Sequence, residues 1–270
     1  MSIRQYRPRD RNRRGLSSKQ FLILTSLIVL SIFLQILYPL VHGGLLRATT
    51  IAFIYSGAAA MLFHALFSYG PKYLFLYFAI TFLFSLGLEE IGSRTGWPFG
   101  TYQYSSSLGL QIFKVPLVVP FAWLMMAHPI LVISRKITQH WVFLVGGAGL
   151  MIWDLFVDPL MVASGRWTWN FDGAHVPLEP SIPLSNCAGW LLGGMALIAI
   201  LHQVLPKERR KVGASRTAVD LFLLWTVFSG SVGNIFFFNT PGVALIGGIP
   251  FTILLFTYFF KSRLGRPDQF

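Results

Sequence analysis

The chain has 270 residues, of which 54% are hydrophobic and 12% charged, with one cysteine and a formal net charge of +12. A soluble domain carries about twice that charge fraction, and the apolar residues here fall in long blocks, so the sequence reads as a polytopic membrane protein. The lone Cys187 excludes an intrachain disulfide and a cysteine-cluster metal site. The basic residues sit in short clusters between apolar blocks, as topology signals do, so no nucleic-acid partner is expected.

In chain order, the basic tail RQYRPRDRNRR comes first and suits an anionic lipid surface. Eight spans of about twenty residues are predicted after it. They are Phe21–Val41, Leu45–Phe67, Tyr73–Ile91, Val115–Ser134, Trp141–Ala163, Leu184–Leu205, Ala218–Phe238 and Val243–Phe260. The first run is too long for a signal-peptide core, and no small-residue cleavage site follows it. The expected fold class is an all-α transmembrane helical bundle. Its expected organisation is a basic cytoplasmic tail over 1–20, one transmembrane domain over 21–262 and a short cytoplasmic tail over 263–270. Only the turn FNTPG separates the last two spans, so that is where a miscount would fall. With the N-terminus inside, 18 of the 22 Lys and Arg lie on the cytoplasmic side and four (Arg47, Arg94, Lys114 and Arg166) outside. That asymmetry orients the chain N-in and C-in, with the long gaps Gly92–Lys114 and Ser164–Pro183 on the outer side.

Five acids lie in or beside spans, and a charge in the bilayer needs a partner or a function. Asp220 follows the basic run at a helix start, where the dipole stabilises an acid. The others gather towards the outer side. Glu89 and Glu90 end the third span. Asp154 and Asp158 stand in WDLFVDP at i, i+4 spacing, on one helix face, with Pro159 after them. Asn186 opens the sixth span at the same depth. Two readings stand: a functional cluster of carboxyls and an amide, or acids that bond loop backbone and tie down Arg94 and Arg166. The two gaps share an aromatic, glycine- and proline-rich character: GWPFGTYQY with Trp97, Phe99, Tyr102 and Tyr104, and GRWTWNF with Trp167, Trp169 and Phe171. These rings read either as an interfacial belt or as ordered turns that cap a pocket. The six histidines are scattered with no HxxH or HExxH, so no metal site is expected.

EEIGSR matches the EExxxR pattern of CAAX-type intramembrane metalloproteases, but FDGAH falls in a loop and no HxxxN or HxxxD follows. That protease is one alternative, and a non-catalytic carotenoid- or lipid-binding membrane protein is another. A longer set of motifs points elsewhere. EEIGSRTGWPFGTYQYS, VPLVVPFAWLMM, and WDLFVDPLMVASGRWTWN followed by IPLSNCAGW stand in order, and the chain from about Phe84 to Trp190 resembles a membrane carotenoid-biosynthesis family. That family includes the γ-carotene and lycopene terminal hydratases of bacteria and the bisanhydrobacterioruberin hydratase of haloarchaea. Its first motif needs one acid before the glycine; Glu89 fits that position and Glu90 is incidental.

The resemblance implies a bacterial or archaeal multi-pass protein of the cell membrane, a carbon–oxygen lyase that adds water to the terminal double bond of a linear carotenoid end. Its substrates are a membrane-dissolved carotenoid and water. It uses no cofactor, and association with other carotenoid-pathway enzymes is left open. Asp154 or Asp158 is the expected acid, since two neighbouring carboxyls can share a proton, with Glu89 and Asn186 positioning water. Trp97, Phe99, Tyr102, Tyr104, Trp123, Trp153, Trp167, Trp169 and Trp190 are the expected substrate contacts, with indole faces near a cation worth about 2 kcal/mol each when desolvated. The orientation has its own test: reporters fused to the two termini should both be active only in their cytoplasmic form, and a periplasmic signal from either would overturn it.

Overall fold

A computed structural model describes residues 15–207 and 216–264. The basic N-terminal tail up to residue 14, most of the run between Lys207 and Arg216, and the last six residues lie outside the described residues. Within them, eight helices are long and apolar enough to cross a membrane. They are α1 (Ser18–Leu37, extended to Leu40 by a 3-10 turn), α2 (Gly43–Tyr69), α3 (Pro71–Thr95) and α4 (Val118–Ile137), then α5 (Val142–Ala163), α6 (Leu184–Val204), α7 (Thr217–Phe236) and α8 (Pro241–Leu264). The eight spans are those expected, with ends moved by a few residues. The fourth starts at Val118 because Val115–Pro116 is a strand. α7 and α8 are separate helices despite the short turn between them, and α8 passes through a π-helical stretch at Ala244–Gly248.

Local chemistry sets several ends. Ser17 and Gln20 close a capping box at the start of α1. Pro71 opens α3, where a missing N–H costs nothing. Gly96, with φ +78°, closes α3 in the left-handed conformation that a helix C-terminus favours. α4 is the central helix: 78% of its apolar window is buried, against 22% for α1 and for α3.

The two long gaps are ordered. Six short strands form three antiparallel ladders among the described residues: β1 (Tyr102–Tyr104) with β4 (Trp167–Trp169), β2 (Gln111–Ile112) with β3 (Val115–Pro116), and β5 (His175–Val176) with β6 (Glu179–Pro183). The β1–β4 ladder joins the first loop to the second, with Tyr102 opposite Trp169 and Tyr104 opposite Trp167. Both loops therefore fold as one cap over the same end of the bundle.

α5 and α6 touch through glycine. A Cβ on Gly147 would come within 2.8 Å of the Met195 backbone nitrogen, and one on Gly194 within 3.1 Å of the Gly147 Cα. Small residues at such a seam let two helix backbones approach closely where no water drives them together. About two turns further along both helices, the same antiparallel register sets Asp154 and Asp158 of α5 against Asn186 of α6. Gly147→Leu is therefore expected to lower the melting temperature in detergent, overpacking costing about 1–3 kcal/mol. Gly87→Leu, at a position with nothing within 4 Å of an added Cβ, should leave the melting temperature near wild type. Equal melting temperatures for the two variants would contradict the seam.

Candidate active site

Under the cap lies a cavity of about 160 Å³. Its polar wall comes from three helices: Glu89 of α3, Asp154 and Asp158 of α5, and Asn186 of α6. All four are enclosed, at 3%, 2%, 2% and 1% exposure. The remaining wall is mostly apolar and draws on α1, α2, α4 and α7.

Glu89 is held by donors on both oxygens. Tyr102 and Tyr104 each donate a hydroxyl to Oε2 at 2.7 Å, and Trp123 of α4 donates its indole N–H to Oε1 at 3.1 Å. Burial, and then the neighbouring Glu89 charge, push both tyrosine hydroxyls far above the ordinary tyrosine range, so both remain protonated donors. Glycine makes the arrangement possible. A Cβ on Gly92 would come within 2.8 Å of both the Phe99 ring and the Tyr102 hydroxyl, and one on Gly189 within 2.5 Å of Phe99. Phe99 thus wedges between α3 and α6 and draws the loop down onto Glu89, while Trp169 Nε1 pins the Phe99 carbonyl at 3.1 Å.

The aspartates share a donor. Asn186 Nδ2 hydrogen-bonds Asp154 Oδ2 at 3.1 Å and also Asp158 Oδ2, and the two carboxyls are within hydrogen-bonding reach of each other. Asn186 Oδ1 is buried with no partner among the described residues. The Trp167 indole N–H faces Asp158 without closing a well-formed hydrogen bond. One amide thus braces two carboxyls.

Aromatic rings form much of the remaining surface. Trp123 and Trp190 stack at 4.2 Å between centroids and 10° between planes, and Trp153 meets Trp190 edge-on at 6.0 Å. Phe99, Tyr102, Tyr104, Trp123, Trp153, Trp167, Trp169 and Trp190 all line the cavity. Trp97 does not; its side chain is 63% exposed, because the turn that inserts Phe99 points its neighbour outward. The paired acids also part company. Glu90 turns away from the cavity to Arg94 and to the backbone N–H of Lys114. Arg94 is thus tied to an acid, as one of the two sequence readings had it; among the described residues Arg166 meets no acid and bonds the Ser107 hydroxyl. Asp220 lies in the first turn of α7 and accepts from Tyr258.

The histidines that the protease pattern requires do not come to Glu89. His64 and His128 bond each other at 2.9 Å outside the cavity lining, and His175 is exposed in the second loop. Among the described residues, no three His, Cys, Asp or Glu side chains group to hold a metal ion. Sequence reasoning missed the opposite wall: Gln35 and Tyr38 of the first span, Thr50 of α2, and Thr226 and Ser229 of α7 also line the cavity. The available signal was polarity inside apolar spans. Gln35 accepts from Trp225 and, at 3.4 Å, from Ser229, and so links α1 to α7.

Comparison with known proteins falls in line with this geometry. Residues 49–254 match the sequence model of a family described as carotenoid biosynthesis protein. The chain is 29% identical over 201 residues to the bisanhydrobacterioruberin hydratase of Haloarcula japonica, a match that covers 68% of this chain and 65% of that protein. No solved structure matches.

Proposed function

Because this chain belongs to the carotenoid biosynthesis protein family, we propose that it is a hydratase of the cell membrane that adds water to the terminal trisubstituted double bond of a linear carotenoid end, such as that of γ-carotene or lycopene. The observation that carries this reading is the cavity itself: three carboxyls and an amide from three helices, together with stacked indoles, in a mostly apolar, part-open space. Its volume of about 160 Å³ is close to the roughly 150 Å³ of an apolar cavity that binds benzene. It fits one isoprenoid end of a polyene and a water molecule, with the rest of the chain outside.

The Asp154–Asp158 pair supplies the proton. Two carboxyls braced by one amide share a proton more readily than both ionise. Transfer of that proton to the less substituted alkene carbon uses the π electrons to form the C–H bond and leaves a tertiary cation on the other carbon. The outer indole face of the Trp123–Trp190 stack stabilises that cation by about 2 kcal/mol where water is excluded. Glu89, fixed by three donors, adds a nearby negative charge that needs no reorganisation during the reaction. Water in the cavity beside the carboxyl–amide wall attacks the cation, and its lost proton passes to a carboxylate and regenerates the pair. Atoms balance as alkene plus water giving a tertiary alcohol, with no oxidant or reductant.

Expressed in cells that accumulate γ-carotene or lycopene, the chain should convert the pigment to a more polar hydroxylated carotenoid. Asp154→Asn and Asp158→Asn should each lower conversion by about a hundredfold or more, the range for a lost general acid. An unchanged pigment profile with the protein in the membrane would favour a carotenoid-binding role instead, and full activity in both variants would refute the acid pair.

A further inference from the structure

A second, open pocket of about 330 Å³ lies between the start of α2 and the two capping loops, away from the acids. Its functional groups are donors. Arg166 is only 7% exposed, yet among the described residues its guanidinium meets no carboxylate. Nη1 donates to Ser107 Oγ at 3.1 Å, and Nε is buried without a partner. A guanidinium carries five N–H donors and no acceptor, and a buried charge is costly without a counter-charge. Ser107 Oγ already accepts from Arg166 and from Ser105, at 2.9 Å, which leaves its own proton to donate.

The 27-residue α2 points its N-terminus at the same space. His42 supplies no side-chain cap, so the first N–H groups of the helix have no side chain to receive them. A Cβ on Gly43 or Gly44 would meet nothing within 4 Å, so a ligand has open access to that backbone. Arg47, exposed and about one turn further on, lines the pocket too. Two guanidiniums, free helix N–H groups and a hydroxyl with no acid among the lining residues describe a receptor for an anion.

We propose that this pocket binds a phosphate-bearing anion, the headgroup of an anionic phospholipid at the membrane surface where α2 begins. The bound phosphate would tie α2 to both loops, through Ser107 of the first and through Arg166 of the second. Arg166 stands next to Trp167, and its carbonyl accepts the Ser105 N–H at 2.8 Å. Occupancy therefore stiffens the cap that carries Tyr104 and Trp167 over the cavity. The inference does not depend on the hydratase reading.

The full chain, purified in a non-ionic detergent, is melted while short-chain phosphatidylglycerol, inorganic phosphate or an uncharged diacylglycerol of equal chain length is titrated in. Phosphatidylglycerol should raise the melting temperature in a saturable way, as a ligand of the folded state does. Arg47→Gln, at an exposed position, should fold normally and shift half-saturation upward by about tenfold, the loss of one charge-assisted contact; Arg166→Gln should abolish the response. If phosphate alone matches the lipid, the site stands and its ligand is the soluble anion. If the diacylglycerol matches it, or if Arg47→Gln responds as wild type does, the proposal is overturned.

Discussion

A carboxylate enclosed in an apolar helical bundle has to be matched by donors, and at Glu89 that requirement organises the cap. Placing an acid at the centre of a bilayer-spanning helix costs about 2.5–3.5 kcal/mol on insertion scales, an upper bound for Glu89 near the end of α3. A hydrogen bond to a charged group returns about 1.5–3 kcal/mol, so the three donors on Glu89 are enough to hold it. Two of them, Tyr102 and Tyr104, are on a loop outside the spans. The loop must therefore fold back over the bundle, and its β1 strand, once there, pairs with β4 of the second loop. Satisfying one acid thus encloses the cavity.

The second constraint is the glycine seam of α5 and α6. Close backbone approach fixes their register, and the register presents both aspartates to one asparagine. The polar wall is therefore assembled from rigid helices, while the aromatic wall comes partly from helices and partly from the cap. Positioning of this kind holds polar and aromatic groups in one geometry, as the proposed reaction requires.

Much of the fold was legible because apolar blocks about as long as the bilayer is thick admit few alternatives, and the eight helices fall where the hydropathy placed them. The acid cluster was legible as well: i, i+4 spacing put Asp154 and Asp158 on one face, and charge asymmetry put Asn186 at the same end. Which of two adjacent residues faces inward was not legible. Glu89 and Glu90 differ by 100° around a helix, and only the position of α4 and the loop decides between them. Trp97 is a similar case, since a tight turn sends it outward while Phe99 goes in. The contribution of α1, α2 and α7 to the cavity arises from tertiary packing, to which sequence spacing gives no guide. The resemblance to the carotenoid family rested on FGxYxY and WDxxxDP, and both motifs fall on residues that shape the cavity.

The central claim is that the cavity protonates an alkene carbon and captures the cation with water. The direct measurement is mass spectrometry of the pigment formed by membranes containing the chain in D2O enriched in ¹⁸O. The account predicts one deuterium on the carbon beside the new alcohol and the heavy oxygen in its hydroxyl group. An alcohol carrying neither label, with its oxygen drawn from O2, would contradict it.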